Sequence, residues 1–424
     1  VTGLRLQKYH HNQLFDLAAN VRVNDFFMET EQLPALNHYL LGGTFLGERL
    51  TWQMHNHASY SKLRVADEPT DPTEAANNFP LPGEIESAGV IASTRQELSI
   101  TLPVGPVNFR PVGSFEAAHY GQAANGESLT RLLGQAGLQL NLPMVRIDPT
   151  IQSSLLNMKG MAHKLDWTAE YWYADSDQDL DALPLYDQLD DNAQEQFRRR
   201  FIGTTFGGTL PAQFDPRTYA FRQGIQRRVT SPGDIVADDL QQLRLGLHQR
   251  IQTKRGLPGL ERIVDIVQFD IDTILFPQAD RDNFGETVGP TTYDFRYHLG
   301  DRYSILSDGY IDFFEGGLSS ISAGVRSSRP GVSDSYFGLM SLEGPVSSTV
   351  FRSAYDYRLN EKWIISGGVT YDFGETGDIG QSYGLTRIGE SMLIRMNVNV
   401  DSGRDNTSVG FMIEPRFFAK NLGF

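Results

Sequence analysis

Apolar and polar residues alternate along most of the chain. In one stretch Val267, Phe269 and Ile271 alternate with Asp270 and Asp272. A period of two is typical of a β-strand with one polar and one apolar face. About twenty such segments occur, and many run to about 10 residues, which suits a bilayer crossing better than a soluble strand. The pattern predicts an all-β protein built as a transmembrane antiparallel β-barrel, either a large barrel or the C-terminal majority of one.

Gly, Pro, Asp and Asn clusters separate the alternating segments, and helical signal is scarce. The longest irregular stretches are predicted to be loops: Asp67 to Glu86, Asp175 to Arg200, Thr204 to Arg217, and Pro277 to Pro290. Outer-membrane barrels place long loops outside the cell and short turns in the periplasm.

The composition agrees with strands rather than helices as the spanning elements. The 424 residues are 40% hydrophobic, the mean hydropathy is -0.33, and no run approaches the ~18 apolar residues of a spanning helix. Tyr (17), Phe (25) and Gly (41) are frequent. Aromatic girdles and tight turns use these residue types.

Charge and cysteine content exclude several classes of function. The formal net charge of -15 argues against nucleic acid as a partner, because phosphate binding needs a basic surface. The chain has no cysteine, which excludes disulfides, thiolate metal sites and cysteine nucleophiles. Ser and His are scattered without a catalytic motif, so we expect no enzymatic activity and no cofactor.

Two other groups of residues have a structural and a functional interpretation. His55 and His57 lie on one side of a predicted strand, but zinc needs a third ligand, so polar residues facing a wetted lumen are the favoured interpretation and no metal site is expected. The basic clusters at 198–200 and 227–228 could bind phosphates, but solvated charge is again favoured.

Full charges in the middle of strands indicate that the polar face is wetted. Arg244, His248, Asp270 and Asp272 are the candidate polar contacts in the lumen or loops. The segment from Val1 to Asp16 lacks the features of a signal peptide, so we expect a mature or truncated chain.

Several landmarks occur in one order along the chain. They are Glu31-Gln32-Leu33-Pro34, Arg95 to Pro103 with Gly105 to Asn108 and His119-Tyr120, Glu170 to Tyr173 with Leu183 to Asp187, Asp238 to Leu247, Glu361-Lys362-Trp363 with Tyr371-Asp372, and Val409 to Arg416. This ordered set resembles the barrel of the LptD family, which inserts lipopolysaccharide into the outer leaflet. The resemblance implies that residues 1–424 are one barrel domain, without the family's periplasmic β-jellyroll and without its cysteines.

The resemblance implies transport of lipopolysaccharide or a related glycolipid through a lumen and a lateral gate. The last strand would form the gate and carry the barrel-assembly signal: Val409, Gly410, Phe411, Ile413, Pro415 and Phe417. Pro415 cannot donate a ladder hydrogen bond, so it either weakens the seam or simply ends the strand.

The implied partners are the glycolipid, an LptE-like plug lipoprotein, an LptA-like periplasmic bridge and the barrel-assembly machinery, in the outer membrane. A porin-like diffusion channel and a structural or adhesive surface β-protein are the alternative functions.

Overall fold

A computed structural model describes residues 2–186, 195–228, 236–257, 259–374 and 376–418. Its strands are β1 (Thr2–His10), β2 (Gln13–Val21), β3 (Glu29–Phe45), β4 (Leu50–Arg64), β5 (Ser87–Ile100), β6 (Leu102–Val104), β7 (Val107–Tyr120), β8 (Leu129–Ser153), β9 (Met158–Ser176), β10 (Leu240–Arg255), β11 (Arg262–Leu275), β12 (Val288–Leu299), β13 (Tyr303–Ile311), β14 (Ser319–Arg329), β15 (Ser333–Glu343), β16 (Ser348–Asn360), β17 (Trp363–Asp372), β18 (Gly377–Ile388), β19 (Met392–Asp401) and β20 (Asn406–Pro415).

Four short α-helices lie between strands in this part of the chain: α1 (Pro72–Ala75), α2 (Glu195–Phe206), α3 (Pro216–Arg222) and α4 (Ala279–Asp282). No helix among the described residues is long and apolar enough to cross a bilayer. Helices α1 and α3 each begin with proline after an aspartate whose carboxylate accepts a backbone N–H, an arrangement that satisfies an otherwise unpaired donor. The loop prediction was therefore incomplete, because these segments contain helical turns.

Successive strands pair in antiparallel fashion. Strands β5 and β6 both pair with β7. Short turns alternate with longer connections along the chain. His11-Asn12 and Glu361-Lys362 are two-residue turns, whereas residues 65–86 and 177–239 are long connections. The landmark Glu31-Gln32-Leu33-Pro34 lies inside β3, where the register with β4 shifts between Gln32 and Ala35.

The described residues form two compact units. The first unit comprises Val1–Leu142, Thr168–Arg244 and Ile274–Thr287, and the second comprises Pro143–Trp167, Leu245–Thr273 and Val288–Phe424.

The strands of the first unit bury polar side chains and expose apolar ones. In β5, Arg95, Glu97 and Ser99 are buried, whereas Leu98 and Ile100 are exposed. A soluble domain shows the opposite distribution, because large apolar side chains gain free energy when they leave water. An apolar outer face with a polar inner face is the arrangement of a strand that contacts lipid.

The second unit has the same lipid-facing pattern. Val325 of β14 lies opposite Phe337 of β15, and both side chains are about half exposed. On the other face, the Tyr336 ring covers Gly324 and Gly338, where any added Cβ would clash with it. Aromatic side chains that fill the space above strand glycines help to fix the register of a sheet.

The predictions of an all-β antiparallel membrane-spanning fold and of an outer-membrane location are confirmed. Strands can cross lipid only in barrel-type sheets that satisfy their backbone hydrogen bonds between strands. Proteins of this class reside in outer membranes. The chain is an outer-membrane protein of the β-barrel fold class.

Candidate functional site

A row of buried charges crosses the polar face of the first unit. Arg95 of β5 lies directly opposite Glu116 of β7, and its Nε is 2.8 Å from Glu116 Oε2. Arg131 of β8 contacts the other carboxylate oxygen of Glu116 at 2.5 Å. All three side chains are at most 3% exposed. We call Arg95, Glu116 and Arg131 the buried charge row, in which one carboxylate binds two guanidinium groups.

The long connections of the first unit fold together into a layer that we call the cap. It consists of residues 65–86, 121–128, 177–186, 195–228, 236–239 and 276–287. Backbone hydrogen bonds join its segments: the Leu185 N–H donates to the Gly83 carbonyl at 2.8 Å, and the Ala124 N–H donates to the Ala182 carbonyl at 2.9 Å. Its apolar side chains pack with strand residues in two clusters, one around Tyr120 and Tyr186 and one around Trp172 and Phe276.

Buried ion pairs hold the cap segments together. The Arg199 guanidinium of α2 binds the Glu84 carboxylate, and both side chains are almost completely buried. Arg217 of α3 binds Asp215 at 2.9 Å and Asp181 at 2.7 Å. The interpretation of the arginine cluster at 198–200 as solvated charge was wrong for Arg199, because the fold of the cap removes it from water.

The cap also reaches the polar face of the strands. Arg227, in the 3₁₀ turn after α3, lies 2.8 Å from Glu170 of β9. Arg95 of the buried charge row donates to the Arg228 carbonyl at 3.2 Å. Arg244 of β10, a predicted polar contact, donates to the Gln223 carbonyl at 3.5 Å. The cap is therefore anchored on the charged strand face of the first unit.

Asp238 lies where the cap meets β10. Burial raises the pKa of its carboxyl, and the nearby carboxylates of Asp179 and Asp239 raise that pKa further. The N–H groups of Leu180 and Asp239 donate to this carboxylate and act in the opposite direction. Desolvation is the largest of these influences, so the charged form of Asp238 is disfavoured in the folded cap.

We expect the Asp179→Asn variant to make the stability of the cap less dependent on pH. The folded-state pKa of Asp238 lies above its ordinary value of 3.8. Its stabilising contribution is therefore full below that value and is lost as the pH rises through the raised pKa. Removing the neighbouring negative charge of Asp179 lowers the pKa of Asp238. The pH range over which this stabilising contribution is lost then becomes narrower. The measurement is the rate of limited proteolysis of the cap at acidic and at neutral pH.

Asp175→Asn is the matched control, because Asp175 is also exposed but does not contribute to the shift of Asp238. An equal change in the pH dependence of cap proteolysis in both variants would show that the effect arises from the net charge and not from the pKa of Asp238.

In the second unit, three of the predicted polar residues come together. His248 Nδ1 lies 3.1 Å from Asp270 Oδ1, and His248 Nε2 lies 3.9 Å from Asp272 Oδ1. Gln268 donates to the second oxygen of Asp270 at 2.8 Å. His248 and Asp270 line a cavity of about 600 Å³, which lies in the size range of small-molecule sites. Their role in contacting a substrate stays a prediction.

Strand β20 carries the residues predicted to form the gate. Val409, Phe411 and Ile413 are 77%, 64% and 54% exposed, and Met412 on the opposite face is 54% exposed. Gly410 and Phe417 are also exposed. Pro415 is the last residue of β20, opposite Met392. The next residue, Arg416, still donates its N–H to Ser391. Pro415 therefore stands at the end of the strand, and its role at the gate stays a prediction.

His55 and His57 face neighbouring polar side chains. Each has a ring nitrogen within 3.1 Å of the Asn37 side-chain oxygen. Among the described residues no group of three or more His, Asp or Glu side chains is arranged to hold a metal ion.

No protein-family model and no curated protein sequence matches the chain. Among solved structures, it is similar to the siderophore receptor PirA from Pseudomonas aeruginosa, with 8% identity over 96% of this chain and 67% of the receptor and a TM-score of 0.35. It is also similar to the ferric-catecholate import receptor Fiu from E. coli K12, with 7% identity over 97% of this chain and 71% of the receptor and a TM-score of 0.32. A third similar structure is a mutant Rh. blastica porin, with 9% identity over 68% of this chain and 87% of the porin and a TM-score of 0.21.

The cap is the main feature that sequence reasoning missed. Its anchors are distant along the chain: Glu84 and Arg199 are 115 positions apart. One local signal was present, since Asp-Pro pairs at 71–72 and 215–216 mark helix starts inside the predicted loops.

Proposed function

We propose that the chain transports an amphipathic glycolipid of the lipopolysaccharide class across the outer membrane and releases it into the lipid at β20. The exposure of β20 on both faces is the observation that carries this proposal. The ordered resemblance to the LptD family supports it.

Both faces of β20 offer contacts that suit an amphipathic substrate. Val409, Phe411 and Ile413 lie opposite Val398, Met396 and Ile394 of β19 and continue an apolar lipid-facing surface. Met412 lies on the other face beside Arg395, whose guanidinium is 2.8 Å from Glu414. Acyl chains can therefore follow one face while sugars and phosphates follow the other.

Other strands of the same unit are more covered. In β17, Tyr371 is the one exposed residue of the ten. In β20 the first eight residues are all exposed. A strand that is covered on neither face has fewer side-chain contacts to hold it, so its outer edge is the easiest place for a lipid to pass.

The test is photocrosslinking in the native, full-length protein. A benzoyl-phenylalanine is placed at Phe411 or at Met412, and at Phe337 of β15 as a matched lipid-facing control that is 52% exposed. We expect a glycolipid adduct at both β20 positions that disappears when the upstream transport machinery is depleted, and no such adduct at Phe337.

Adducts to ordinary phospholipid alone, or equal glycolipid adducts at Phe337, would overturn the proposal and favour a porin-like channel. The plug lipoprotein, the periplasmic bridge and the assembly machinery stay predictions of the resemblance.

A further inference from the structure

We infer that the second unit contains a binding site for the phosphate group of an anionic lipid, formed by Lys164, Arg250 and Lys254. The site is separate from β20. It deepens the proposed function by naming the chemical group that the protein recognises, and it rests on that function only for the identity of the natural lipid.

The three cations border two cavities that share one residue. Lys164 of β9 and Arg250 of β10 line a cavity of about 600 Å³. Lys164 and Lys254 line a second cavity of about 680 Å³. Because Lys164 belongs to both, the two cavities together present three positive side chains from neighbouring strands.

Positive charge is in excess in these cavities. Glu261 is paired with Lys159 at 3.2 Å, and Asp270 accepts a hydrogen bond from Gln268 at 2.8 Å. Lys164, Arg250 and Lys254 therefore outnumber the two remaining carboxylates of the lining, Asp166 and Asp270. Asp166 also has an interaction partner. In the part of the chain that the structure describes, the side chains of Lys164, Arg250 and Lys254 are exposed and have no hydrogen-bond or ion-pair partner. In a chain with a net charge of -15, three cations without a partner in two adjoining cavities favour an anionic ligand.

The chemistry of the three side chains favours phosphate. Arginine binds phosphate oxygens through two parallel hydrogen bonds, and lysine contributes a compact positive charge. Basic side chains on membrane proteins bind anionic lipid head groups in this way.

The apolar lining indicates that the phosphate belongs to a lipid. Val145, Ile147 and Ile263 line the cavities and are 61%, 71% and 66% exposed. A free phosphate ion would gain nothing from these side chains, whereas acyl chains would cover them. The second cavity lies beside the short turns that follow β8 and β10, and in barrels of this class short turns face the periplasm.

Binding to the purified full-length protein in detergent tests the inference. The probes are dioctanoyl phosphatidic acid, dioctanoyl phosphatidylcholine and inorganic phosphate, together with a diphosphorylated glucosamine-disaccharide lipid. The variant is Lys164→Gln, Arg250→Gln and Lys254→Gln combined. The control combines Arg302→Gln, Arg329→Gln and Lys362→Gln, three exposed basic residues beside short turns of the same unit and outside both cavities.

We expect phosphatidic acid to bind more tightly than phosphatidylcholine. The triple variant at Lys164, Arg250 and Lys254 should raise the Kd for phosphatidic acid by at least about tenfold, whereas the control variant should leave that Kd unchanged. Tighter binding of the disaccharide lipid than of phosphatidic acid would identify the transported glycolipid as the source of the phosphate, and the reverse order would identify a resident phospholipid. Equal binding by the two variants, or equal affinity for inorganic phosphate and phosphatidic acid, would overturn the inference.

Electrophoretic mobility before and after heating shows whether each variant is folded. The binding assay requires no transport. It can therefore fail while the β20 crosslinks succeed, and it can succeed while they fail.

Discussion

Replacing Arg199 with alanine is expected to loosen the cap and to increase the entry of large solutes through the outer membrane. The substitution removes the guanidinium group that binds the fully buried Glu84 carboxylate. Breaking a buried pair in this way costs about 3–5 kcal/mol. When that cost falls on cap closure, the displaced state becomes roughly 10² to 5 × 10³ times more populated. The measurements are growth inhibition by a large antibiotic such as vancomycin and single-channel recording in planar bilayers.

Arg200→Ala provides a matched control in the same helix. Arg200 and its partner Glu74 are mostly exposed and 3.6 Å apart, so their pair contributes at most about 1 kcal/mol. Adding Glu84→Gln to Arg199→Ala removes the buried negative charge of Glu84 and should restore part of the barrier. Equal antibiotic sensitivity in the Arg199 and Arg200 variants would show that the pair does not hold the cap closed.

The Glu116→Gln variant is expected to lose about 3–5 kcal/mol of stability, because it removes the carboxylate that binds both Arg95 and Arg131. Both guanidinium groups would remain almost fully buried beside a neutral amide. The measurement is urea-induced unfolding in lipid vesicles, followed by tryptophan fluorescence and by electrophoretic mobility.

Asp334→Asn on β15 is the corresponding control. Its partner Arg326 is 54% exposed, so we expect a loss below about 1 kcal/mol. Replacing the whole row, with Arg95→Met, Glu116→Leu and Arg131→Met, should recover most of the stability, since apolar residues of similar size often replace a buried ion cluster without loss. A loss in Glu116→Gln no larger than that in Asp334→Asn would contradict this account of the charge row.

The sequence by itself determined the strands and their two faces. The alternation around Phe269 and Asp270 depends on backbone geometry, because successive side chains of a strand point to opposite sides wherever the strand lies. Strand length and mid-strand charges then favoured lipid on one side and water on the other. His248, Asp270 and Asp272 could be assigned to one polar face for the same local reason.

Only the tertiary structure decided which side chains meet. The contact between His248 and Asp270 depends on the register of β10 and β11. The contact between Arg95 and Glu116 depends in the same way on the register of β5 and β7. A shift of one residue would move each charge to the opposite face.

The cap depended on tertiary structure even more strongly. Arg199 reads as one of three adjacent arginines in the sequence, and nothing near it identifies Glu84 as its partner. Burial of that pair requires segments far apart in the chain to pack together, so its energy is a property of the folded cap and not of either segment alone.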